Sequence, residues 1–283
     1  MKNVLKTELW KAFHNKMLML SLSIGILLAI ADVAQNAGLV AELTEITLES
    51  VANGSGSGAH GGYSLFVLWM AVNGMNFGSR NFYLIWPVLA ALPFGWSYFQ
   101  ERRNGAYNQV VYRAGRNTYY TAKYLSVFIS GGVAIAVPVT VNLLLNALVC
   151  PYSIPLLGVT PIMNGSFFSS LYYTQPWIHS LIWCGVEFLW GGVASCLCLA
   201  FGTAFRYQVM VILAPFMCMF AFNAAYPLIV NLTGISLNFS PLQMAEVATQ
   251  NPNPEWLIFS MIGLLFLTSL IAGYWQVTKH EFA

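Results

Sequence analysis

Residues 124–149 read YLSVFISGGVAIAVPVTVNLLLNALV, and this apolar stretch decides the fold. It contains no charged residue, and it exceeds the roughly 20 residues that an α-helix needs to cross the hydrocarbon core of a bilayer. Backbone amides find no water in that core, so a helix that satisfies them internally is the expected structure. We therefore predict a transmembrane helix at 124–149.

Five further stretches have the same character. Together with the first they define predicted spans at residues 17–35, 82–100, 124–149, 178–204, 209–232 and 256–277. The composition agrees, because 58% of the 283 residues are hydrophobic and only 8% are charged, against roughly 25% in soluble domains. The predicted fold class is all-α: a polytopic membrane protein with six transmembrane helices. An interfacial helix at 1–16 precedes a transmembrane domain at 17–283.

The charged residues give the predicted orientation. With the N-terminus in the cytoplasm, every lysine and arginine except Arg80 falls in an inner segment, as the positive-inside rule requires. The acidic residues of the predicted outer segments are Glu42, Glu45, Glu49, Glu246 and Glu255. Six spans then place both termini in the cytoplasm. We expect a multi-pass protein of the cell membrane, specifically a bacterial plasma membrane, and a net charge of +2 gives no indication of a nucleic-acid partner.

The predicted outer segments differ in kind. Residues 36–81 form a long first outer loop, and 233–255 form an outer re-entrant segment before the last span. Within the first, residues 39–51 place apolar and acidic side chains at helical spacing, which predicts a short amphipathic helix. Residues 63–73 are apolar but too short to span, which predicts an interfacial or re-entrant helix. A seventh span is the alternative there, at the expense of the charge asymmetry.

The N-terminal segment predicts contact with membrane lipid. Leu5, Leu9 and Phe13 recur every fourth residue and share one helix face, while lysines supply positive charge around them. This pattern is typical of a helix that lies in the inner interface with its lysines at anionic head groups. The alternative is a basic flank that only sets the topology.

The inner loop at 100–123 is far longer than a tight turn requires. Asn104 can cap a helix and Gly115 can end it, so we predict a short amphipathic helix at about 104–113. The apolar and basic positions of this helix are Tyr107, Val110, Val111 and Arg113. A helix at the mouth of two spans is either a docking element for a partner or a basic loop at lipid head groups.

This loop resembles a known family. Glu101, two arginines and Gly105, then a short helix, then Arg116 through Lys123 are similar to the loop after the second span in type-2 ABC exporter permeases. That family typically has an acidic residue, a basic residue and a glycine there, and a lysine that leads into the third span. The order of interfacial helix, six spans and re-entrant outer segment is also similar, although residues 36–81 are longer than in the simplest members.

The resemblance implies a permease subunit of an ATP-driven exporter. Such a subunit works with a second permease subunit, identical or related, and moves its cargo out of the cytoplasm by alternating access. The aromatic, mostly uncharged span around Glu187 suits an amphipathic or cationic cargo such as a peptide, a drug or a lipid.

The resemblance also implies that the short helix couples to a cytoplasmic ABC ATPase subunit, which holds ATP and Mg. The implied coupling residues are Glu101, Arg102, Arg103, Gly105, Tyr107, Val110, Val111 and Arg113. A Walker A loop needs a lysine after a glycine to cradle phosphates, and none of the lysines of this chain follows one. The ATPase is therefore expected to be another chain.

Two acidic residues fall inside predicted spans. Glu187 lies near mid-membrane, where a carboxylate is costly and marks a functional hypothesis. It is a candidate for the translocation pathway, and the alternative is a structural hydrogen bond to a hydroxyl, an amide or water. Asp32 lies near the outer end of its span, where we expect a structural role.

Patterns for enzyme chemistry are lacking in the sequence. The histidines are scattered, and the five cysteines fit neither a zinc site nor a disulfide framework. We expect no catalytic residue, no metal and no cofactor bound by this chain. Small residues at Gly131, Gly132, Gly191 and Ser195 instead predict close helix packing. The alternative function is a non-transporting membrane scaffold or sensor subunit, which would lack a tightly bound ATPase.

Overall fold

The computed structural model describes residues 2–53, 63–155, 160, 162–202, 204–234, 237–249 and 251–279, without the side chains of residues 2 and 276–279. The described residues form helices and no β-strand, which confirms the all-α prediction. In chain order the helices are α1 Lys2–Phe13, α2 Lys16–Ala52, α3 Leu65–Leu68, α4 Phe77–Ala91, α5 Ser97–Arg103, α6 Ala106–Ala114, α7 Arg116–Val149, α8 Ser169–Thr174, α9 Pro176–Phe201, α10 Gln208–Thr233 and α11 Glu255–Lys279.

Five of these helices, α2, α7, α9, α10 and α11, are long and apolar enough to cross a membrane. This is the architecture of a multi-pass membrane protein. α7 covers the predicted span at 124–149 and begins earlier, at Arg116. α9, α10 and α11 begin and end within a few residues of the predicted spans. One end of the bundle holds α1, α5 and α6 and is called the basic end. The other holds the described residues of the segments 63–76, 151–175 and 237–254 and is called the loop end.

The predicted second span at 82–100 is not one helix. α4 ends at Ala91, and α5 begins only at Ser97, so each part is too short to count among the apolar helices above. Pro93 lacks the backbone N–H that a continuing helix would use. The backbone carbonyl of Pro93, a buried residue, accepts a hydrogen bond from Asn15 Nδ2 at 2.9 Å. The sequence prediction missed this break because the segment is apolar on both sides of it.

The first span is longer than predicted. α2 runs without interruption from Lys16 to Ala52, so the amphipathic segment at 39–51 is its continuation and not a separate helix. At 1.5 Å per residue a helix of 37 residues is about 56 Å long. The hydrocarbon core is only about 30 Å thick. The change from an apolar to an amphipathic pattern marks the end of burial, not the end of the helix.

The centre of the bundle is the close contact of α7 with α9. A Cβ atom on Gly131 would lie 2.4 Å from Ser195 Cβ, and one on Gly191 would lie 2.6 Å from the carbonyl oxygen of Gly131. Only glycine lets the two backbones approach this closely. The predicted packing role of these small residues in α7 and α9 agrees with these contacts.

The loop end is filled by non-helical chain. Residues 69–76 follow the short α3 as turns, and the side chains of Trp69 and Met70 are fully buried. Of the predicted segment at 233–255, Thr233 ends α10 and Glu255 begins α11, and the described residues 237–249 and 251–254 between them are non-helical. They pack against the first segment through a 2.8 Å hydrogen bond from Val247 N to Ala71 O. Trp86 of α4 donates its indole N–H to Leu242 O at 3.3 Å. The two segments thus close this end together.

Candidate functional site

The basic end contains a group of four charged side chains, two of which are buried. Lys123 of α7 is fully buried, and its Nζ forms ion pairs with Glu8 Oε2 of α1 and, at 2.8 Å, with Glu101 Oε1 of α5. Lys11 completes the set, with its Nζ 2.7 Å from Glu8 Oε1 and 3.3 Å from Glu101 Oε1. We call Glu8, Lys11, Glu101 and Lys123 the charge cluster. Two acids and two bases balance, so the cluster carries no formal net charge.

Aromatic rings complete the environment of Lys123. Its Nζ lies 4.6 Å from the centroid of the Phe94 ring and 5.5 Å from that of Tyr119, within the range of cation–π attraction. The Tyr119 hydroxyl donates a hydrogen bond to Glu101 Oε2. Burial alone raises the pKa of a carboxyl group, but the ammonium group of Lys123 and these hydrogen bonds outweigh burial, and the pKa of Glu101 is lowered overall. Glu101 is therefore held as a carboxylate.

The helix α6 lies in the chain between Glu101 and Lys123, two members of the charge cluster. Glycines with positive φ stand at both ends, Gly105 at +71° and Gly115 at +79°. The N-cap of α6 is Gly105, while Asn104 instead ends α5, so the predicted capping by Asn104 is wrong. The predicted end of the helix at Gly115 agrees with the structure. No residue of α6 is fully buried, and the helix lies on the surface of the basic end.

The two faces of α6 differ. Tyr107, Val110 and Val111 pack against the apolar cluster around Tyr98 and Tyr119, and the Tyr107 ring centroid lies 5.4 Å from that of Tyr119. These side chains thus pack against the rest of the chain. The exposed face carries Asn108, Gln109, Tyr112 and Arg113. Tyr112 is 91% exposed, and the sequence analysis did not single it out.

The remaining predicted coupling residues lie around the charge cluster. Arg103 is exposed at the end of α5, and Arg102 lies partly buried beside Tyr98. The structure thus brings Glu101, Arg102 and Gly105 to the base of α6, and Arg113 to its far end. The sequence analysis missed Glu8, since a single acid in a short helix gives no signal of a partner more than 90 residues away.

A second polar group lies toward the loop end. Asp32 of α2 accepts hydrogen bonds from Asn76 at 3.0 Å and from Asn142 at 2.9 Å. Asn36 donates to Asn146 Oδ1 at 2.9 Å, and Asn76 donates to Asn36 Oδ1 at 2.7 Å. We call Asp32, Asn36, Asn76, Asn142 and Asn146 the amide cluster. Its members join α2, the start of α4 and α7, which agrees with the structural role expected of Asp32.

Glu187 is enclosed between helices of the same chain. Its Oε1 accepts hydrogen bonds from the Tyr83 hydroxyl at 2.9 Å and from Trp183 Nε1 at 3.3 Å. Oε2 has no hydrogen-bond partner in the described part of the chain. The side chain is fully buried, so the carboxyl group reaches no surface in this conformation. This placement favours the hydrogen-bonding role over contact with cargo.

The described residues offer no group of three or more His, Cys, Asp or Glu side chains that could hold a metal ion. All five cysteines are free, and three of them, Cys150, Cys196 and Cys198, are buried. The polar chemistry of the described chain is thus concentrated in the charge cluster, the amide cluster and the Glu187 site.

Comparison of the chain with protein-family models, with curated proteins and with solved structures gave no significant match.

Proposed function

We propose that this chain is the transmembrane permease subunit of an ATP-driven exporter of the type-2 ABC family. The supporting observation is the surface helix α6 next to the charge cluster. Lys123 pairs the start of α7 with Glu101 of α5, and α6 is the chain between these two anchors. A push on α6 is therefore transmitted to a helix that runs the length of the bundle.

The proposed orientation places the basic end in the cytoplasm. This end holds α1 and α6 and the arginines of the inner loops, in keeping with the positive-inside rule. α1 is then the interfacial helix, with Trp10 62% exposed toward the head groups.

The broken segment of α4 and α5 supplies the sixth crossing in this proposal. α4 starts after Asn76 of the amide cluster and α5 holds Glu101 of the charge cluster, so the segment runs between the two ends of the bundle. A break in a helix is tolerated within a membrane where the freed backbone groups find partners in the protein, and Asn15 provides one for Pro93. Both termini then face the cytoplasm.

The transport cycle follows from this arrangement. A separate ABC ATPase subunit holds ATP and Mg, docks on the exposed face of α6 and moves it when the nucleotide binds. The cargo pathway between two permease subunits, identical or related, then changes from one side of the membrane to the other. The cargo class remains the amphipathic or cationic one, a peptide, a drug or a lipid.

The test targets the exposed face of α6. Tyr112→Ala combined with Arg113→Glu removes the side chains best placed to touch a partner, while Tyr107 and Val111 are avoided because they support the fold. We expect at least a tenfold loss of ATPase that co-purifies with the permease, which corresponds to about 1.4 kcal/mol. Cargo-stimulated ATP hydrolysis should fall with it.

The matched control is Tyr207→Ala. Tyr207 is also an exposed tyrosine, 57% accessible, and it precedes α10 outside the proposed docking face. It should leave ATPase binding unchanged. A wild-type chain that never retains an ATPase would favour the scaffold or sensor alternative, and normal coupling in the α6 double variant would refute the assignment of this helix.

A further inference from the structure

A cavity opens at the loop end between the two non-helical segments. Its volume is about 490 Å³, within the range of small-molecule sites. The lining is mostly apolar, with a few polar groups among thioether and methyl groups. The residues that carry the argument are Val72, Gly74, Met75, Met163, Gln243 and Glu246.

Glu246 is the charged side chain of this cavity. It makes no side-chain hydrogen bond or ion pair with any residue in the described part of the chain, and none of the residues that line the cavity is basic. Gly74 leaves room at the carboxylate, since a Cβ atom there would lie 3.0 Å from Glu246 Oε2. A partly buried carboxylate without a counterion is costly, and the cavity has space for one.

We infer that this cavity binds an alkylammonium group, such as a lysine-type side chain, with Glu246 as its counterion. An ammonium group donates three hydrogen bonds and needs acceptors, which the carboxylate and the side-chain amide oxygens of Asn73 and Gln243 supply. Val72, Met75 and Met163 suit the methylene stem. A single carboxylate is a poor site for a divalent metal, which prefers several oxygen ligands.

The protonation of Glu246 supports this assignment. Burial raises the pKa of Glu246 to about 7. The charge of Glu246 acts on Glu187 of α9 and Tyr83 of α4, neither of which carries a positive charge. Below pH 7 the empty site is neutral, and above pH 7 it carries the charge that a cation requires. Binding should therefore strengthen as pH rises, by roughly tenfold between pH 6 and pH 8.

The experiment measures binding directly. Radiolabelled pentylammonium is dialysed against the purified full chain in phosphatidylcholine nanodiscs, with empty nanodiscs subtracted and with pentan-1-ol as the uncharged probe. We expect pentylammonium to bind, pentan-1-ol to bind at least tenfold more weakly, and Glu246→Gln to weaken pentylammonium at least tenfold. Glu45→Gln removes an exposed carboxylate of the long helix α2 and should change nothing.

Gly74→Ala provides a second variant that keeps the charge. Its methyl group crowds Glu246 Oε2, so binding should weaken while the protein stays monodisperse. The inference is overturned if the wild type does not bind pentylammonium, or if Glu246→Gln binds it as tightly as the wild type does. It is also overturned if pentan-1-ol binds as tightly as pentylammonium, or if micromolar Ca²⁺ displaces pentylammonium. As a cargo site the cavity rests on the proposed function, but this measurement needs no ATPase, so the two proposals fail independently.

Discussion

The charge cluster and the amide cluster occupy opposite ends of one bundle, and each joins α7 to two other segments. The charge cluster uses two acids and two bases, none of which can substitute for a missing partner of opposite sign. The amide cluster surrounds one acid with four asparagines, whose side chains both donate and accept. The charge cluster is held by ion pairs and the amide cluster by hydrogen bonds between polar groups. The loss of one member should therefore lower the free energy of unfolding by different amounts in the two clusters.

The largest effect is expected from Lys123→Met. This change keeps the length and apolar stem of the side chain but leaves Glu8 and Glu101 facing each other with only Lys11 between them. Removal of one partner from a buried ion pair costs about 3–5 kcal/mol. The free energy of unfolding in mixed micelles should fall by that amount.

The matched control is Lys11→Met in the same cluster. The Lys11 side chain is 39% exposed, so water screens its ion pairs, and we expect a loss of at most about 1 kcal/mol. Equal losses for the two lysines would show that burial does not distinguish them. If Lys123→Met unfolds with the same free energy as the wild type, the charge cluster does not stabilise the fold.

A smaller effect is expected from Asp32→Asn in the amide cluster. The volume is retained, but an NH₂ group replaces an oxygen that accepts hydrogen bonds from asparagine side chains, so two donors face each other. An unsatisfied buried polar group costs about 1–3 kcal/mol, and the other asparagines can re-pair to reduce this loss. The same unfolding measurement applies, with Glu45→Gln on the exposed face of α2 as the unchanged reference. A loss greater than that of Lys123→Met would reverse the ranking of the two clusters.

The smallest effect is expected on the loss of stability at acidic pH, when Glu101 is replaced by Gln. The pKa of Glu101 is lowered in the folded protein because Lys123 overcomes the effect of burial. A lowered folded pKa contributes stability that is present above the ordinary value of 4.5 and is lost as pH falls below it toward the folded pKa. Wild type should therefore lose stability below about pH 4.5, and Glu101→Gln should show a shallower loss in the same unfolding assay. Identical acid profiles would mean that Glu101 gains nothing from its partners.

Much of the fold follows from apolar length. α7, α9, α10 and α11 match their predicted spans because about 20 apolar residues admit few structures in a bilayer. Apolar length does not reveal where a helix breaks or continues. Residues 82–100 are apolar on both sides of the break at Pro93. The helix α2 continues past residue 35 because the residues that follow have a good local helix propensity.

The candidate site was only partly predictable. The resemblance marked Glu101 and Lys123 as features of one loop, and the structure joins them at 2.8 Å. Glu8 could not be found, because its partner Lys123 lies beyond five intervening helices, α2 to α6, and no periodic pattern connects the two residues. The resemblance implied that the apolar residues of α6 take part in coupling, and their spacing indicates only that they share one face. Spacing identifies a shared face but does not say whether it meets the protein or a partner.

The amide cluster also sets the mechanics of α2. Asn36 is the last residue of this helix that is fully buried, and 16 further residues lead to its end at Ala52. This extension is about 24 Å long, and Leu39 and Val40 at its start still pack against the core. With Val40 as the fulcrum, the remaining 12 residues are about 18 Å long, so a tilt of about 10° would move the tip of the helix by roughly 3 Å. A rearrangement too small to disturb the bundle would thus be amplified into a displacement the size of a side chain beyond the membrane surface.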